Sequence, residues 1–407
     1  MFHKLLAIFF FPCLIFIKLI SPFYKIRLNR LPSERIGHFV ESAGLSLCEK
    51  IQGETYKDIC WFQTPICNTQ LEKMVKRVFF VSWCVRYLIL ANNFFPSLKL
   101  VPFVDQYHKE DTWGQETYPR LGRHCNAKGL YFKTKDIKEA YLPFSHNEEV
   151  EAKQVVNSLG IRDSDKFVCL IVRDSEYLST VYSKYDWTYH SYRDSSIDTY
   201  KEAVEALANL GYWVFRMGKK VKEPLNINHP RVIDYANHEI RSDLLDIWLP
   251  ANAYFSISTS TGLDSVPQAF RRPVVYVNAM VNNDFRSSDH CLWASKHLMW
   301  KSEGKLLTLK ETLHSSFYSS DKYKEAGIKI IDLSSEQIRE IVLEMESRLT
   351  GNWRATEEEE LNQSKFIKII SSWKSKEKMH GFFHPEARVS QKYLEYNSSF
   401  LSDDKSL

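Results

Sequence analysis

The chain is expected to be an α/β protein, and two patterns in the sequence say so. From Lys166 onward, short continuous apolar runs alternate with amphipathic segments. Runs such as KFVCLIV, YFSIS and PVVYVN are apolar throughout, as strands buried on both faces must be. Strand and helix in steady alternation mean a parallel sheet with crossover helices. The second pattern is a weaker helix–strand–helix alternation earlier in the chain, which predicts a first, smaller α/β domain.

Taken in order, RLPSERIGHFVESAGLSLCEK (30–50) carries a helical pattern opened by a Gly-His pair. KDICWFQ (57–63) reads as a strand, and NTQLEKMVKRVFFV (68–81) as a helix that Asn68 would cap. WGQETYPRLGRHCNAKG (113–129) is irregular. A helix near 147–159 leads through the turn GIRDSD into the strand KFVCLIV. SIDTYKEAVEALANLG (196–211) is a capped amphipathic helix ending at glycine, and GYWVFRMG is the next strand. RVIDYA, YFSIS and PVVYVN read as further strands, with SDLLDIWLPA as a short helix. Thr356 caps a terminal helix whose first turn holds four glutamates, where the helix dipole favours negative charge. The predicted division is 1–28, 30–150, 160–348 and 349–407: an apolar segment, two α/β domains and a helical extension.

Composition narrows the function. A net charge of +4 over 407 residues, with no basic block interleaved with aromatics, argues against nucleic acid as a partner. The eight cysteines are scattered without a CxxC pair, which fits a reducing compartment and gives no zinc pattern. Aromatic residues reach 14%; such residues more often fill cores than stack sugars.

The amino terminus is unlike the rest. Leu5–Ile17 is an unbroken apolar run, followed by Lys18 and flanked by Lys4, Lys25, Arg27 and Arg30. No small-residue cleavage site follows it, and Pro12 lies inside it. A membrane span needs about 20 apolar residues. Leu5–Tyr24 reaches that length only by tolerating Lys18 and two prolines. Residues 2–24 are therefore expected to associate with a membrane surface, in-plane or re-entrant, with the body of the protein on the cytoplasmic face. The competing reading is a buried amino-terminal helix.

Ligands of open parallel sheets bind beyond the carboxyl ends of the strands. In the second domain each such end is polar. Arg173 and Asp174 follow KFVCLIV, and Arg216 and Gly218 end GYWVFRMG. Asp234 ends RVIDYA, and Asn278 ends PVVYVN. Ser258, Thr259, Ser260, Thr261, Gly262 and Asp264 follow YFSI. Small hydroxyls and backbone amides ahead of a helix near Ser265 can cradle an anion. Arg173 and Arg216 would supply forked positive charge for a diphosphate. Asp264 or Asp234 would accept from sugar hydroxyls. The segment between Asp174 and Ile197 is long for a strand–helix loop, and it places Arg193 where it would swing toward phosphate. Each role competes with a plain one: hydroxyl runs cap helices, and arginines at strand ends pair with nearby carboxylates.

The stretches VRDSEYL, SYRDSS, FRMG, RVIDYANHEIRSDLLDIWLPA and STSTGLDSVPQAFRRPVVYVN resemble a family of bacterial glycosyltransferases found among surface-polysaccharide genes. RIGHF and RVSQKYLEYNSSFL are similar to that family too. The STGLD turn is similar to the phosphate-facing serine/threonine-glycine turn of heptosyltransferases. The resemblance implies two Rossmann-like domains facing across a cleft (GT-B), the second binding a nucleotide-sugar donor and the first a glycan or lipid-linked acceptor. It places His38 toward the cleft as base or acceptor contact, with Asp174 as the other base candidate. Arg173, Arg193 and Arg216 then stabilise the departing diphosphate. Asp163-Ser164-Asp165 has the spacing of a metal-holding DxD motif, but it precedes its strand, so no cofactor and no metal are expected. The alternatives are a nucleotide-sugar epimerase of the same fold and a non-catalytic glycan- or nucleotide-binding assembly protein.

Overall fold

The structure, a computed structural model, describes residues 8–53, 56–94, 98, 100–105, 129–281, 286–315, 317–373 and 383–402. Residues 1–7 of the apolar segment, Lys4 among them, and most of the irregular 113–129 stretch lie outside them. The chain divides into two compact units, Met1–Glu149 and Val150–Leu407.

The first unit is built on a parallel four-stranded sheet of order β3-β2-β1-β4. Its strands are β1 (Ile26–Leu31), β2 (Lys57–Phe62), β3 (Phe80–Val81) and β4 (Phe103–Asp105). Of the expected helices, Ile36–Ile51 follows β1, and Thr69–Val78 starts where the Asn68 carboxamide oxygen accepts from the Leu71 amide; it ends before the expected 81, because the chain turns extended at Phe79 and Phe80–Val81 pairs with β2 as β3. The Ile36–Ile51 helix is buried along most of its length, including Glu41 and Glu49. Arg27 is 1% exposed and donates to both Asp58 oxygens, so this expected membrane-flanking cation is an internal charge partner instead. A buried arginine is tolerated only when paired in this way.

The second unit holds a parallel seven-stranded sheet of order β13-β10-β9-β8-β5-β6-β7. Here β5 is Phe167–Ile171, β6 Trp213–Arg216, β7 Val232–Ile233, β8 Phe255–Ser258 and β9 Val274–Ala279. β10 is Leu292–Ser295 and β13 Arg388–Val389, while β11 (His297–Trp300) and β12 (Ile328–Ile331) form a small antiparallel pair. Every residue of β5, β6, β8 and β9 is buried, as their unbroken apolar runs require. The core takes Val168, Leu170, Ile257 and Val275 from the sheet, and packs them with Val204 and Leu207 of the Lys201–Asn209 helix and Ile338, Ile341 and Val342 of the Ser335–Leu349 helix.

Chain order matters for function here. From the central pair β5–β8 the sequence runs outward in both directions: through β6 and β7 on one side, through β9 and β10 on the other. The reversal lies between β5 and β8, and a crevice opens at the carboxyl ends of such a pair. In the first unit the corresponding reversal lies between β1 and β4.

Candidate functional site

The residues that follow β5 and β8 meet at this reversal. The Arg173 amide donates to Thr259 Oγ1 at 2.9 Å, and the Thr259 amide to the Ile171 carbonyl at 3.2 Å, which ties the two strand ends together.

The hydroxyl run works differently from the expectation of four outward donors. Ser258, Thr259 and Ser260 are buried and build the turn from within. Ser258 Oγ donates to Asp264 Oδ2 at 2.8 Å and accepts from the Ser260 amide at 3.1 Å. Ser260 has φ +62°, a left-handed conformation that side chains adopt at a cost. Its carbonyl accepts from Arg193 Nη2 at 2.6 Å. Thr261 and Gly262 form the outer tip. The Thr261 hydroxyl oxygen accepts from the Leu263 amide at 3.2 Å, which leaves its O–H to donate outward. The Gly262 amide donates to no acceptor among the described residues. The following helix begins at Ser265 as expected but covers only Ser265–Ala269, too short for a strong dipole. The donors that remain for a ligand are therefore those of the Thr261–Gly262 tip.

Asp264, expected to accept from a sugar, is fully buried. It receives Ser258 Oγ, the Thr261 amide at 2.9 Å and Arg286 Nη1 at 2.6 Å, and so shapes the turn. Arg216 likewise differs from its expected role. It is 1% exposed, pairs with Asp234 at 3.2 Å and donates to the Glu223 carbonyl at 3.0 Å. Asp234 in turn accepts from the Leu225 amide and from Asn237 Nδ2. These two residues pin the 217–225 loop, and the Arg216 guanidinium, which also lies 3.9 Å from Asp174, is committed to internal partners. Gly218 belongs to the same loop; its φ is +156°, and a Cβ there would meet Val221 Cγ1 at 2.6 Å. Asp174 accepts from the Glu176 amide and the Lys222 amide, both at 3.0 Å, so each of its oxygens is engaged by backbone. Asn278 is buried and bridges Ser195 and Leu333.

The charge that stays at the rim is Arg173 with Arg193. Arg173 pairs with Asp194 at 3.2 Å, the side chains being 13% and 25% exposed. Burial and the neighbouring Arg193 lower the Arg173 guanidinium to about 10, while burial raises the Asp194 carboxyl. An anion beside the two arginines would offset part of the cost of burying the cation. Lys296, a residue without a sequence signal, donates to the Asp194 carbonyl at 2.5 Å and pairs with Asp332 at 2.8 Å. The long Asp174–Ile197 segment packs within its own unit: Ser191 Oγ lies 2.9 Å from Ser320 Oγ, and Tyr192 packs on Tyr323.

His38 lies in the first turn of the helix that follows β1, half-buried, at the carboxyl edge of the first sheet. The DxD-like residues form a surface turn, with Asp165 Oδ1 held by Arg162 Nη2 at 3.0 Å and Asp165 Oδ2 by Trp213 Nε1 at 3.3 Å. Among the described residues one group has the spacing for a cation: Asp289, His384 and Glu386, with ligand atoms within 4.8 Å of one another. It sits just ahead of β10 and β13, at the amino ends of the strands, across the sheet from the rim.

No family model matches the chain, and no curated protein matches it. Among solved structures it is similar to a family 9 glycosyltransferase from Veillonella parvula, with TM-score 0.48 and 9% identity, covering 81% of this chain and 98% of that one. The dodecameric iron-containing heptosyltransferase TibC of E. coli, in complex with ADP-D-beta-D-heptose, gives TM-score 0.41 and 12% identity over 80% and 77%. E. coli ADP-heptose lipopolysaccharide heptosyltransferase II gives 0.36 and 13% over 66% and 84%. All three scores are below 0.5.

Proposed function

We propose that the protein is a metal-independent glycosyltransferase that moves a sugar from a nucleotide-sugar donor to a glycan or lipid-linked acceptor of the cell surface. The supporting observation is the convergence at the β5–β8 reversal: a Thr-Gly tip and two arginines, Arg173 and Arg193, at the edge where parallel sheets bind ligands. In this reading the diphosphate lies against Thr261 and Gly262, with Arg173 and Arg193 as its counter-charges. The acceptor hydroxyl attacks the anomeric carbon, the bond from that carbon to the diphosphate oxygen breaks, and the arginines stabilise the charge that appears on the leaving group. His38 is the proposed base for the acceptor proton. Asp194 is a second candidate, because its raised proton affinity suits a base better than the amide-bound Asp174.

The test is release of nucleoside diphosphate from a panel of nucleotide sugars, with and without extracted glycan acceptors. Acceptor-dependent release that persists in EDTA supports the reading. Release that requires added magnesium or manganese removes the metal-independent part. Isomerised nucleotide sugar without release would replace transfer with epimerisation.

A further inference from the structure

The Phe11–Ile20 helix carries apolar side chains on two faces, and only one of them is used inside the protein. Leu14 and Ile17 are buried against Val85, Leu88 and Ile89 of the Cys84–Phe94 helix. Phe10 stacks on Tyr87 and meets Trp83 edge-on. Away from that contact Phe16 and Leu19 of the helix are exposed, as are Phe9 just before it and Phe23 in the turn after it. Phe16 is 63% exposed, Leu19 70% and Phe23 86%. Trp83, 66% exposed and from a different part of the chain, joins the amino end of this surface through Phe10, whose ring meets both Trp83 and the exposed Phe9 edge-on. Between Ile8 and Tyr24 only Lys18 and Ser21 are plainly polar. A solvated surface helix would show a polar outer face, and a contiguous apolar patch of this kind marks an interaction surface.

Charge identifies the partner. The first acidic residue of the chain is Glu34, so the segment before it carries cations only. Lys18 and Lys25 are exposed beside the patch, and Lys57 sits over the Tyr24 ring at 4.9 Å. Arg86 is exposed on the helix that supports it. Apolar side chains ringed by cations, with a tryptophan at the border, match the interfacial zone of an anionic bilayer. Length excludes a span by this helix: ten residues reach about 15 Å against a hydrocarbon core of about 30 Å. No helix among the described residues is long and apolar enough to cross a membrane.

We infer that the first unit docks on anionic membranes by a composite face, with the Phe11–Ile20 helix in the plane of the interface and Trp83 inserted beside it. The inference is independent of the sugar-transfer reading. It is tested by sedimentation of the full chain with vesicles of phosphatidylcholine alone and with 30% phosphatidylglycerol. Binding should be at least about tenfold tighter to the anionic vesicles and should fall as salt rises. The double variant F16S/F23S should lose at least about tenfold in partitioning with an unchanged thermal midpoint. Trp83→Ser, from the second element, should lose severalfold and guards against a folding artefact in the first variant. Equal binding by both variants and wild type, or no binding to either vesicle, overturns the inference. A wild-type dimer that F16S/F23S converts to monomer also overturns it, since a second copy would then be the occupant.

Discussion

Two arginines that look alike in the sequence should fail in opposite ways when replaced. Arg216→Met removes a charge that is 1% exposed and leaves Asp234 without its partner at 3.2 Å. Breaking a buried pair costs about 3–5 kcal/mol. For a unit of this size that lowers the thermal midpoint by roughly 6–20 °C, at about 2–4 °C per kcal/mol. Arg173→Met breaks a pair whose side chains are 13% and 25% exposed, so its effect on stability should be smaller, about 1–3 kcal/mol. Its effect on ligand is larger: one hydrogen bond to a charged group contributes about 1.5–3 kcal/mol. That corresponds to roughly a 10- to 150-fold rise in the dissociation constant of the bound nucleoside diphosphate. Thermal melts and titration calorimetry on both variants measure the two effects separately. If Arg173→Met binds like wild type while a normally folded Arg216→Met does not, the assignment of rim and scaffold is reversed and the site is wrong.

Three further outcomes follow from the same structure. Burial raises the Glu148 carboxyl, but the Arg77 hydrogen bonds and the Ser145 amide outweigh it and hold the group at about 2 instead of 4.5. A lowered folded value stabilises above the unfolded one, so this contribution is present above pH of about 4.5 and is lost as pH falls toward 2. It is at most about 3 kcal/mol before screening at Arg77 is counted; Glu148→Gln should flatten the acid limb of a denaturation series, and an unchanged limb would refute the pair's role. Ser260→Val places a β-branched side chain at φ +62° and should cost about 1–2 kcal/mol and weaken ligand binding, whereas Ser260→Gly should keep both near wild type. Equal behaviour of the two would mean that the turn is not constrained there. His38→Gln should depress kcat while leaving donor affinity within about threefold; an unchanged kcat would move the base role to Asp194.

The parallel sheet of the second unit was legible because buried parallel strands write themselves as unbroken apolar runs, and KFVCLIV, YFSIS and PVVYVN all became strands. β13 was not, because RV is too short to carry a period. Site legibility stopped at a similar limit. Position at a strand's carboxyl end can be read from sequence, but the direction of a side chain cannot. Arg216 ends β6 and Arg173 lies two residues past β5; Arg173 is drawn to Asp194 at the rim, and Arg216 to Asp234 and the Glu223 carbonyl. The serine-rich run misled for a related reason, since a tight turn consumes hydroxyls internally before any ligand arrives. Lys296 carries no local pattern, and only the fold brings it to Asp194.

The most direct test is a thermal-shift panel of ADP, UDP, GDP and CMP, each against its uncharged nucleoside. A ligand at about a hundred times its dissociation constant adds about 2.7 kcal/mol, or roughly 5–10 °C at this size. At least one nucleotide should raise the midpoint of wild type by that amount, its nucleoside should not, and Arg173→Met should cut the shift to at most about half. A midpoint unmoved by every nucleotide would contradict the claim that the β5–β8 edge holds a diphosphate.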